Sequence, residues 1–387
     1  MIPYGKQSIS DEDIQEVVNV LRSDWITQGP AIARFEDALS TYCGAAHAVA
    51  ISNATTALHL ACLAADLGKG DILWTSPNSF VASANCGLYC GAMVDFVDID
   101  PVTYNMSVAH LKAKLDAAIK TDTLPKVLIP VHFSGQSCDM KAVYELVKPY
   151  GITIIEDASH AIGGDYLGGK IGNCTYSDMT VFSFHPVKII TTGEGGAITT
   201  NNADLDATLK RLRSHGITRD PACMTKPSEG DWYYQQIELG YNYRMTDIQA
   251  ALGASQLKKV DLFIRKRREL AQIYTEKLAG LPLILPAQEP CGQSAWHLYV
   301  IQLDATKTQK SRQEIFTALR QNGIGVNVHY IPIHTQPYYQ KMGFSLGDFP
   351  ASETYYAQAI SLPLYYGLEE KDQQKVVDVL KKTVFDV

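Results

Sequence analysis

FSFHPVKIITTGEGGAITT, residues 182–200, contains one lysine, Lys188, which lies between apolar residues and a glycine-rich turn at 193–196. The residues around this turn, 180–183 and 197–200, have the composition of buried strands. A lysine in a dry pocket loses its charge readily and becomes a nucleophile. A structural lysine at a strand end before a tight turn has the same local sequence. This stretch alone therefore does not decide whether Lys188 is reactive or structural.

Strands and helices alternate on the N-terminal side of this stretch. Apolar runs that predict further strands lie at residues 48–52, 71–76, 92–98, 126–132 and 152–157. This repeated order predicts an α/β fold with a mostly parallel sheet that helices cover on both faces. Ligands bind at the C-terminal ends of the strands in such sheets, and Asn53, Phe80 and Asp157 fall there.

The pattern changes after residue 245. A long helix is predicted over 246–278, and a smaller α/β unit follows beyond residue 286. The elements predicted in this unit are a strand at 296–303, a helix at 311–321, a strand at 326–330 and closing helices near 351–360 and 368–382. We therefore expect a large domain at 1–245, and a connecting helix with a small C-terminal domain at 246–387. The first predicted helix, 11–22, is expected to pack with the small domain because chain termini often meet.

Composition and charge limit the classes of function. The chain has 387 residues, of which 46% are hydrophobic and 19% charged, and its net charge is −7. This acidic balance argues against a nucleic-acid or membrane partner, and no apolar run has membrane-spanning length. The N-terminus lacks the pattern of a signal peptide. The eight cysteines form no CxxC pair, so we expect free thiols in the cytoplasm and no metal site.

Polar groups at the strand ends suit a ligand that carries both a phosphate and a ring. Residues 52–56, SNATT, open a helix whose free N–H groups can hold a phosphate, although a plain helix cap has the same sequence. Asp157 ends a buried strand and needs a partner, which a protonated pyridine nitrogen or the next helix could supply. His160 could bond a ring hydroxyl or belong to the core, and Phe80 could stack on the ring or pack in the core.

Six motifs, in one order along the chain, carry a family resemblance. They are SNATTALHLA, SPNSFVASANC, IIEDASHAIGG, FSFHPVKIITTGEGGAI, LGYNYRMTDIQAALG and HYIPIHTQPYYQ. Together they resemble the sugar-nucleotide aminotransferases of the DegT–DnrJ group, which are fold-type I pyridoxal-phosphate enzymes. The resemblance covers almost the whole chain, from WITQGP at 25–30 to ISLPLYYGL at 360–368. It implies the fold-type I architecture, pyridoxal 5'-phosphate as the cofactor and pyridoxamine 5'-phosphate as its second form.

The resemblance implies a role for each residue that falls on a family motif. Lys188 falls on the lysine that binds the cofactor covalently and moves protons during catalysis. Asp157 falls on the acid that pairs with the pyridinium nitrogen. His160 falls on the residue near the ring hydroxyl, where glutamine is also common, and Phe80 falls on the aromatic residue that stacks on the ring.

The phosphate-binding positions of the family fall on Ala54, Thr55 and Ser183. Ala54 stands where many relatives have glycine. This difference concerns the backbone conformation at this position and not the class of enzyme. Asn242 falls on an asparagine that reaches the cofactor phosphate of the neighbouring subunit. The resemblance therefore implies a homodimer with shared active sites.

The motifs at both ends of the chain also indicate a subgroup. IPYGKQSIS at 2–10 and HYIPIHTQPYYQKMGF at 329–344 resemble the 4-aminotransferases of pseudaminic acid biosynthesis. Their substrates are glutamate and UDP-2-acetamido-2,6-dideoxy-β-L-arabino-hex-4-ulose, and the product is UDP-4-amino-4,6-dideoxy-N-acetyl-β-L-altrosamine. Two loops are candidate substrate contacts.

These loops contribute Thr27, Gly29, His329, Tyr330 and His334. For the histidines a structural role is an equal alternative.

Three other functions are alternatives to this one. An aminotransferase acting on another UDP- or dTDP-linked 4-keto or 3-keto sugar would share the same motifs. A regulator that binds pyridoxal phosphate without turnover would also share them, although the acidic balance argues against a DNA-binding role. A Rossmann-type oxidoreductase needs GxGxxG in its first βα unit, and residues 52–57 contain no glycine.

Overall fold

The computed structural model describes residues 1–385. The helices are α1 Asp11–Leu21, α2 Pro30–Cys43, α3 Ala54–Ala64, α4 Ala82–Tyr89, α5 Val108–Thr121, α6 Met140–Val147, α7 Ala203–Arg213, α8 Asp247–Leu257, α9 Val260–Leu278, α10 Arg312–Gln321, α11 Pro337–Gln340, α12 Pro350–Gln358 and α13 Glu370–Phe385. Short 3-10 helices lie at Phe133–Gly135, Lys148–Tyr150 and Ile333–Thr335. In this part of the chain, no helix is both long and apolar enough to cross a membrane.

The strands are β1 His47–Ile51, β2 Ile72–Thr75, β3 Met93–Phe96, β4 Val127–Ile129, β5 Thr153–Asp157, β6 Asp165–Tyr166, β7 Gly169–Lys170, β8 Met179–Ser183, β9 Gly196–Thr200, β10 Ile217–Thr218, β11 Gln235–Gln236, β12 Leu283–Ile284, β13 Gly292–Gln293, β14 Tyr299–Leu303 and β15 Ala359–Leu362. Two small separate sheets are formed by the short strands, one by the pair β10–β11 and one by the three strands β13-β6-β7.

The main sheet has the order β1-β9-β8-β5-β4-β2-β3. The neighbours from β8 to β3 all pair in parallel, whereas β9 is antiparallel to both β1 and β8. Every residue of β8 and β9 is buried, as expected for strands that are covered on both faces. The prediction of a mostly parallel α/β sheet is therefore confirmed, with one inserted antiparallel strand that the sequence pattern did not indicate.

The C-terminal unit is built on the antiparallel sheet β12-β14-β15. Its apolar core combines residues of α9, α10 and α13 with Ile2 from the N-terminus. The Ile2 amide donates to Gly323 O at 2.8 Å, so the first residues of the chain join this unit directly. Helix α1 itself packs on α8 instead, where its buried Asp13 accepts hydrogen bonds from Gln256 Nε2 at 2.7 Å and pairs with Lys259 Nζ at 2.6 Å. The division into two domains stays a prediction.

Three predicted elements of this region are wrong in their bounds or type. The long helix predicted over 246–278 is two helices, α8 and α9, which are separated at Lys258 and Lys259. Residues 326–330 do not form a strand, and Asn327 there makes an isolated bridge to Ser361. The third strand of the small sheet is β15, which occupies the end of the helix predicted near 351–360.

Candidate active site

The polar residues that the sequence marks converge at one edge of the main sheet. Asp157 ends β5 and Ser183 ends the neighbouring parallel strand β8. The glycine-rich turn then returns the chain, and β9 begins at Gly196, which pairs with Ser183 on one side and Ile51 on the other. The strand β1 therefore delivers the start of α3 to the same edge.

Gly196 lets the start of α3 lie directly against β9. A Cβ atom on this residue would be 2.6 Å from the carbonyl carbon of Asn53 and 2.7 Å from the amide nitrogen of Ala54. Real side chains do not tolerate such distances, so the close approach of the two backbones requires glycine. Asn53 caps α3 and forms a capping box with Thr56, which fixes the direction of the first helical turn.

Free donors at the start of α3 form a cradle for an anion. No acceptor within residues 1–385 bonds the N–H groups of Ala54 and Thr55. The Asn53 side chain, which caps the helix, accepts from Thr56 and not from these two. These groups lie at the positive end of the helix dipole, and Ser183 is close by, since it pairs with Gly196 on the neighbouring strand. The donor set fits the phosphate of the expected cofactor.

Asp157 is a buried carboxylate that hydroxyl groups hold in place. Its Oδ2 accepts a hydrogen bond from Ser83 Oγ at 2.6 Å, and its Oδ1 accepts from Ser159 Oγ at 2.6 Å and Ser159 N at 3.1 Å. Ser83 is in turn bonded to Ser79 Oγ at 2.7 Å. No cationic side chain in the described part of the chain pairs with this carboxylate. A pyridinium N–H fits as the missing partner.

Lys188 lies in the turn after β8, where its amide donates to His185 O at 2.9 Å. Burial lowers the pKa of its ammonium to about 8, and the charge of Asp157 opposes the change. The Lys188 charge in turn lowers the pKa of His160 and of His329, after the larger effect of their own burial. These interactions place Lys188, Asp157 and the two histidines in one site.

His160 is held neutral in a single tautomer. Its Nδ1 accepts a hydrogen bond from the Ser134 amide at 3.3 Å, so Nε2 carries the proton and donates to the Tyr330 hydroxyl at 3.1 Å. Burial, followed by the charges of Lys188 and His329, sets the pKa of His160 well below its ordinary value. His160 can therefore donate a hydrogen bond at this site without carrying a charge.

The loop after residue 328 brings His329 and Tyr330 to the same place. His329 Nδ1 is 2.8 Å from Ser361 Oγ, and burial lowers the pKa of His329 to about 3. The Tyr330 ring lies 6.0 Å from the His160 ring and 6.2 Å from the Phe80 ring. Phe80 is 58% exposed, so its ring is available to stack on a planar ligand.

His334 is a correction to the predicted substrate contacts. Its side chain is completely buried, its Nε2 is 2.8 Å from Glu353 Oε1, and its ring packs on Phe349. A side chain without any exposed surface cannot touch a substrate in this arrangement. His334 therefore has the structural role, because it joins its loop to Glu353 and to Phe349, which packs in the core beside the main sheet.

The loop with Thr27 and Gly29 is tied to the start of α8. Asp247 accepts hydrogen bonds from the amides of Gly29 at 2.7 Å and Ala31 at 2.9 Å, and Thr27 forms a backbone bridge with Thr246. Thr27 itself is exposed. The loop is thus fixed in shape and open to solvent, and a substrate role for Thr27 and Gly29 stays a prediction.

Asn242 is exposed on the segment that covers the end of β1. Its backbone pairs with Ser214, and the next residue, Tyr243, accepts the Ser52 amide at 2.8 Å. This backbone is therefore fixed beside the anion cradle, with the Asn242 side chain free to meet a second chain. The contact with a partner subunit stays a prediction.

Four residues of this site were not identified from the sequence. Ser83 and Ser159 hold the Asp157 carboxylate, although both lie within motifs that were recognised. Ser134 fixes the His160 tautomer. The His297 ring lies 4.3 Å from the His160 ring, and the Nδ1 atom of His297 is buried without a hydrogen-bond partner among the described residues. Ser134 and His297 carry no local signal, because only the tertiary fold brings them to the site.

Comparison with known proteins identifies the family of this chain. The sequence pattern of the DegT/DnrJ/EryC1/StrS aminotransferase family matches residues 7–381. The spore coat polysaccharide biosynthesis protein SpsC of Bacillus subtilis is 40% identical, over 99% of this chain and 97% of its own. A UDP-4-amino-4,6-dideoxy-N-acetyl-beta-L-altrosamine transaminase of Campylobacter jejuni is 37% identical, over 98% of this chain and 96% of its own.

Solved structures have the same fold. The sugar aminotransferase Spr1654 of Streptococcus pneumoniae, in its pyridoxamine-phosphate form, superposes with a TM-score of 0.91 at 29% identity over 100% of both chains. Helicobacter pylori PseC, an aminotransferase involved in the biosynthesis of pseudoaminic acid, superposes with a TM-score of 0.90 at 31% identity over 100% of both chains. This chain therefore belongs to the DegT/DnrJ/EryC1/StrS family and is a fold-type I, pyridoxal-phosphate-dependent sugar aminotransferase.

Proposed function

We propose that this enzyme transfers the amino group of glutamate to C4 of UDP-2-acetamido-2,6-dideoxy-β-L-arabino-hex-4-ulose. The product is UDP-4-amino-4,6-dideoxy-N-acetyl-β-L-altrosamine, a precursor of pseudaminic acid. The observation that carries the chemistry is the Lys188 amine, with its pKa lowered to about 8, beside Asp157. Full-length similarity to the Campylobacter jejuni and Helicobacter pylori enzymes supports the choice of sugar.

Each residue of the site has a separate task in this proposal. Bound pyridoxal phosphate supplies an electron sink for the carbon that loses a proton. The Ala54 and Thr55 amides and the Ser183 hydroxyl hold its phosphate, and Asp157 holds its ring nitrogen in the protonated state. Lys188 Nζ takes the proton from Cα of glutamate and later returns one to C4 of the sugar. A pKa near 8 lets this amine accept and release protons near neutral pH.

A homodimer completes the site in this proposal. Asn242 and Phe80 are both exposed in the single chain, and a second subunit would cover the mouth of the site between them. We propose that Asn242 bonds the cofactor phosphate of the partner. Sedimentation of the wild-type protein tests the dimer, and an Asn242→Ala dimer that binds the cofactor as tightly as wild type would contradict the shared site. The cytoplasmic location stays a prediction.

A second candidate is transfer to a different nucleotide-linked keto sugar. The similarity to SpsC, whose name refers to spore coat polysaccharide, favours this alternative. Sugar specificity depends on loops and therefore varies within one fold.

Turnover assays with UDP- and dTDP-linked 4-keto sugars and glutamate, followed by mass spectrometry, separate these candidates. We expect one amino group to be added to the UDP-linked L-sugar. Turnover of the dTDP-linked sugars alone would refute the proposed substrate.

Removal of the Lys188 amine tests the chemistry independently of the sugar. We expect Lys188→Ala to lose both the visible absorption of the lysine-bound cofactor and all turnover. Lys112→Ala, on the exposed face of α5, is the matched control and should keep both. A Lys188→Ala protein that still transaminates would exclude the proposed role. A wild-type protein that binds the cofactor but does not convert glutamate would favour the non-catalytic regulator.

A further inference from the structure

The N-terminal segment, residues 2–8, crosses the C-terminal unit and reaches the turn that carries Lys188. Its backbone is fixed at both ends, since Gly325 N donates to Ile2 O at 2.6 Å and Gln256 Nε2 donates to Ser8 O at 2.9 Å. In between, Leu364 N donates to Tyr4 O at 3.0 Å. This segment is therefore an ordered part of the fold and not a free terminus.

The middle of this segment lies against the active-site turn. A methyl group on Gly5 would be 3.8 Å from Cβ of Val187, the residue before Lys188. The Tyr4 ring lies 5.5 Å from the His329 ring, at an angle of 52°. Tyr4 is also close enough to Tyr330 to raise the pKa of that phenol, after burial and Asp157.

The hydroxyl end of Tyr4 faces a polar group. Burial raises the pKa of Tyr4, and the nearby Asn327 side chain partly opposes this change by lowering it. Asn327 in turn lies 3.3 Å from His329 Nε2. Tyr4 is only partly buried, and its ring is a direct neighbour of the His329 ring.

We infer that Tyr4 is a specificity-determining residue whose phenol forms one wall of the pocket for the hexose of the nucleotide sugar. Glutamate, the smaller substrate, reacts at Lys188 without needing this wall. An aromatic ring with a hydroxyl can pack on the apolar face of a sugar and also bond one of its polar groups. A site built around such a bond discriminates strongly against sugars that lack the matching group.

The geometry also explains why the wall comes from the first residues of the chain. The segment is held by the C-terminal unit at residues 323–325 and 364, and it contacts the large domain at Val187. A wall in this place would lie next to the turn that carries Lys188. The inference rests on the proposed function in one respect, namely that the acceptor is a nucleotide sugar.

Two half-reactions, measured separately, test the inference. In Tyr4→Phe, which removes one hydroxyl, we expect the glutamate half-reaction to change less than about twofold, while kcat/KM for the nucleotide sugar falls about fivefold. In Tyr4→Ala we expect the sugar half-reaction to fall about tenfold or more. Tyr150→Phe, an exposed tyrosine after α6, is the control and should leave both half-reactions unchanged. Equal losses in both half-reactions, or no loss with the sugar, would overturn the inference.

A binding measurement keeps the test independent of turnover. UDP-N-acetylglucosamine, which has no keto group, and UDP alone are titrated by calorimetry into the cofactor-loaded wild type and Tyr4→Ala. We expect the variant to lose about tenfold in affinity for the UDP-sugar and none for UDP. Equal affinity of both proteins for the UDP-sugar, or no binding by the wild type, would refute the inference that Tyr4 lines the sugar pocket. Failure of the wild type to aminate a UDP-4-keto sugar refutes only the proposed substrate.

Discussion

Replacement of Asp157 by asparagine tests the electrostatic core of the site. The amide has the same shape as the carboxylate, and the two donors from Ser159 can still reach its oxygen. The Ser83 hydroxyl, now opposite an NH2 group, can turn to accept, because its bond to Ser79 allows either atom to donate. The fold should therefore survive, and the change removes one buried negative charge.

The size of the effect follows from the lost interaction. A hydrogen bond to a charged group contributes about 1.5–3 kcal/mol, and about 1.4 kcal/mol corresponds to a tenfold change in rate. We therefore expect the glutamate half-reaction of Asp157→Asn to slow by about 10- to 150-fold. Because the Asp157 charge raises the pKa of Lys188, that pKa should also fall below about 8 in the variant.

Stopped-flow absorbance of the cofactor band measures the half-reaction, and the pH dependence of cofactor capture by the apoenzyme measures the pKa of the free Lys188 amine. Asp98→Asn is a matched control, since Asp98 is also buried and accepts from the Ser352 hydroxyl at 2.7 Å and from three amides. This control should lower the unfolding temperature and leave the half-reaction rate unchanged. An Asp157→Asn rate within about threefold of wild type would refute the role given to Asp157.

Two further outcomes follow from the same site. Because the pKa of Lys188 is about 8 instead of 10.5, the neutral amine is about 10% of the total at pH 7 instead of about 0.03%. Capture of pyridoxal phosphate by the apoenzyme, measured by absorbance, should therefore accelerate as the pH rises to about 8 and then level off. An increase that continues to pH 10 would contradict this pKa. Gly196→Ala forces a Cβ against the backbone of Asn53 and Ala54, so it should lower the free energy of unfolding by about 1–3 kcal/mol and weaken cofactor binding in a titration. The control, Gly68→Ala, has open space around the new Cβ and should leave both quantities unchanged.

The sequence predicts the main sheet well because its strands are continuous apolar runs that end in polar residues. The run before Asp157 is one example, and the start of α3 was equally clear from the cap at Asn53. The antiparallel direction of β9 has no such signal. Strand direction depends on how the turn at 193–196 folds back, and a period-two pattern is the same in both directions.

The C-terminal unit shows the limits of short apolar runs. Residues 326–330 and 359–362 are both short and largely apolar, and local pattern cannot decide which of them pairs with β14. The fold assigns the pairing to 359–362. The break between α8 and α9 falls at two lysines, which are good helix formers, so the interruption there reflects tertiary packing and not propensity.

The reactive residues of the site were easier to predict than the residues that position them. Asp157 ends a buried strand and Lys188 lies in the turn after another, where a charged residue among apolar ones is easily recognised. Ser134 and His297 act on His160 through contacts across more than 20 residues of sequence, which no local pattern records. His334 shows the opposite error, since a histidine in a recognised motif is here a buried structural residue.

The antiparallel strand β9 also determines when the sheet can be completed. In the described part of the chain β1 pairs with no strand other than β9, and β9 begins about 150 residues later. During synthesis β1 must therefore wait, as an unpaired edge beside α3, until residue 200 has left the ribosome. The same event brings Gly196 against Asn53 and so builds the phosphate cradle. The closure of the sheet and the formation of the cofactor site thus depend on the same pairing of β9 with β1.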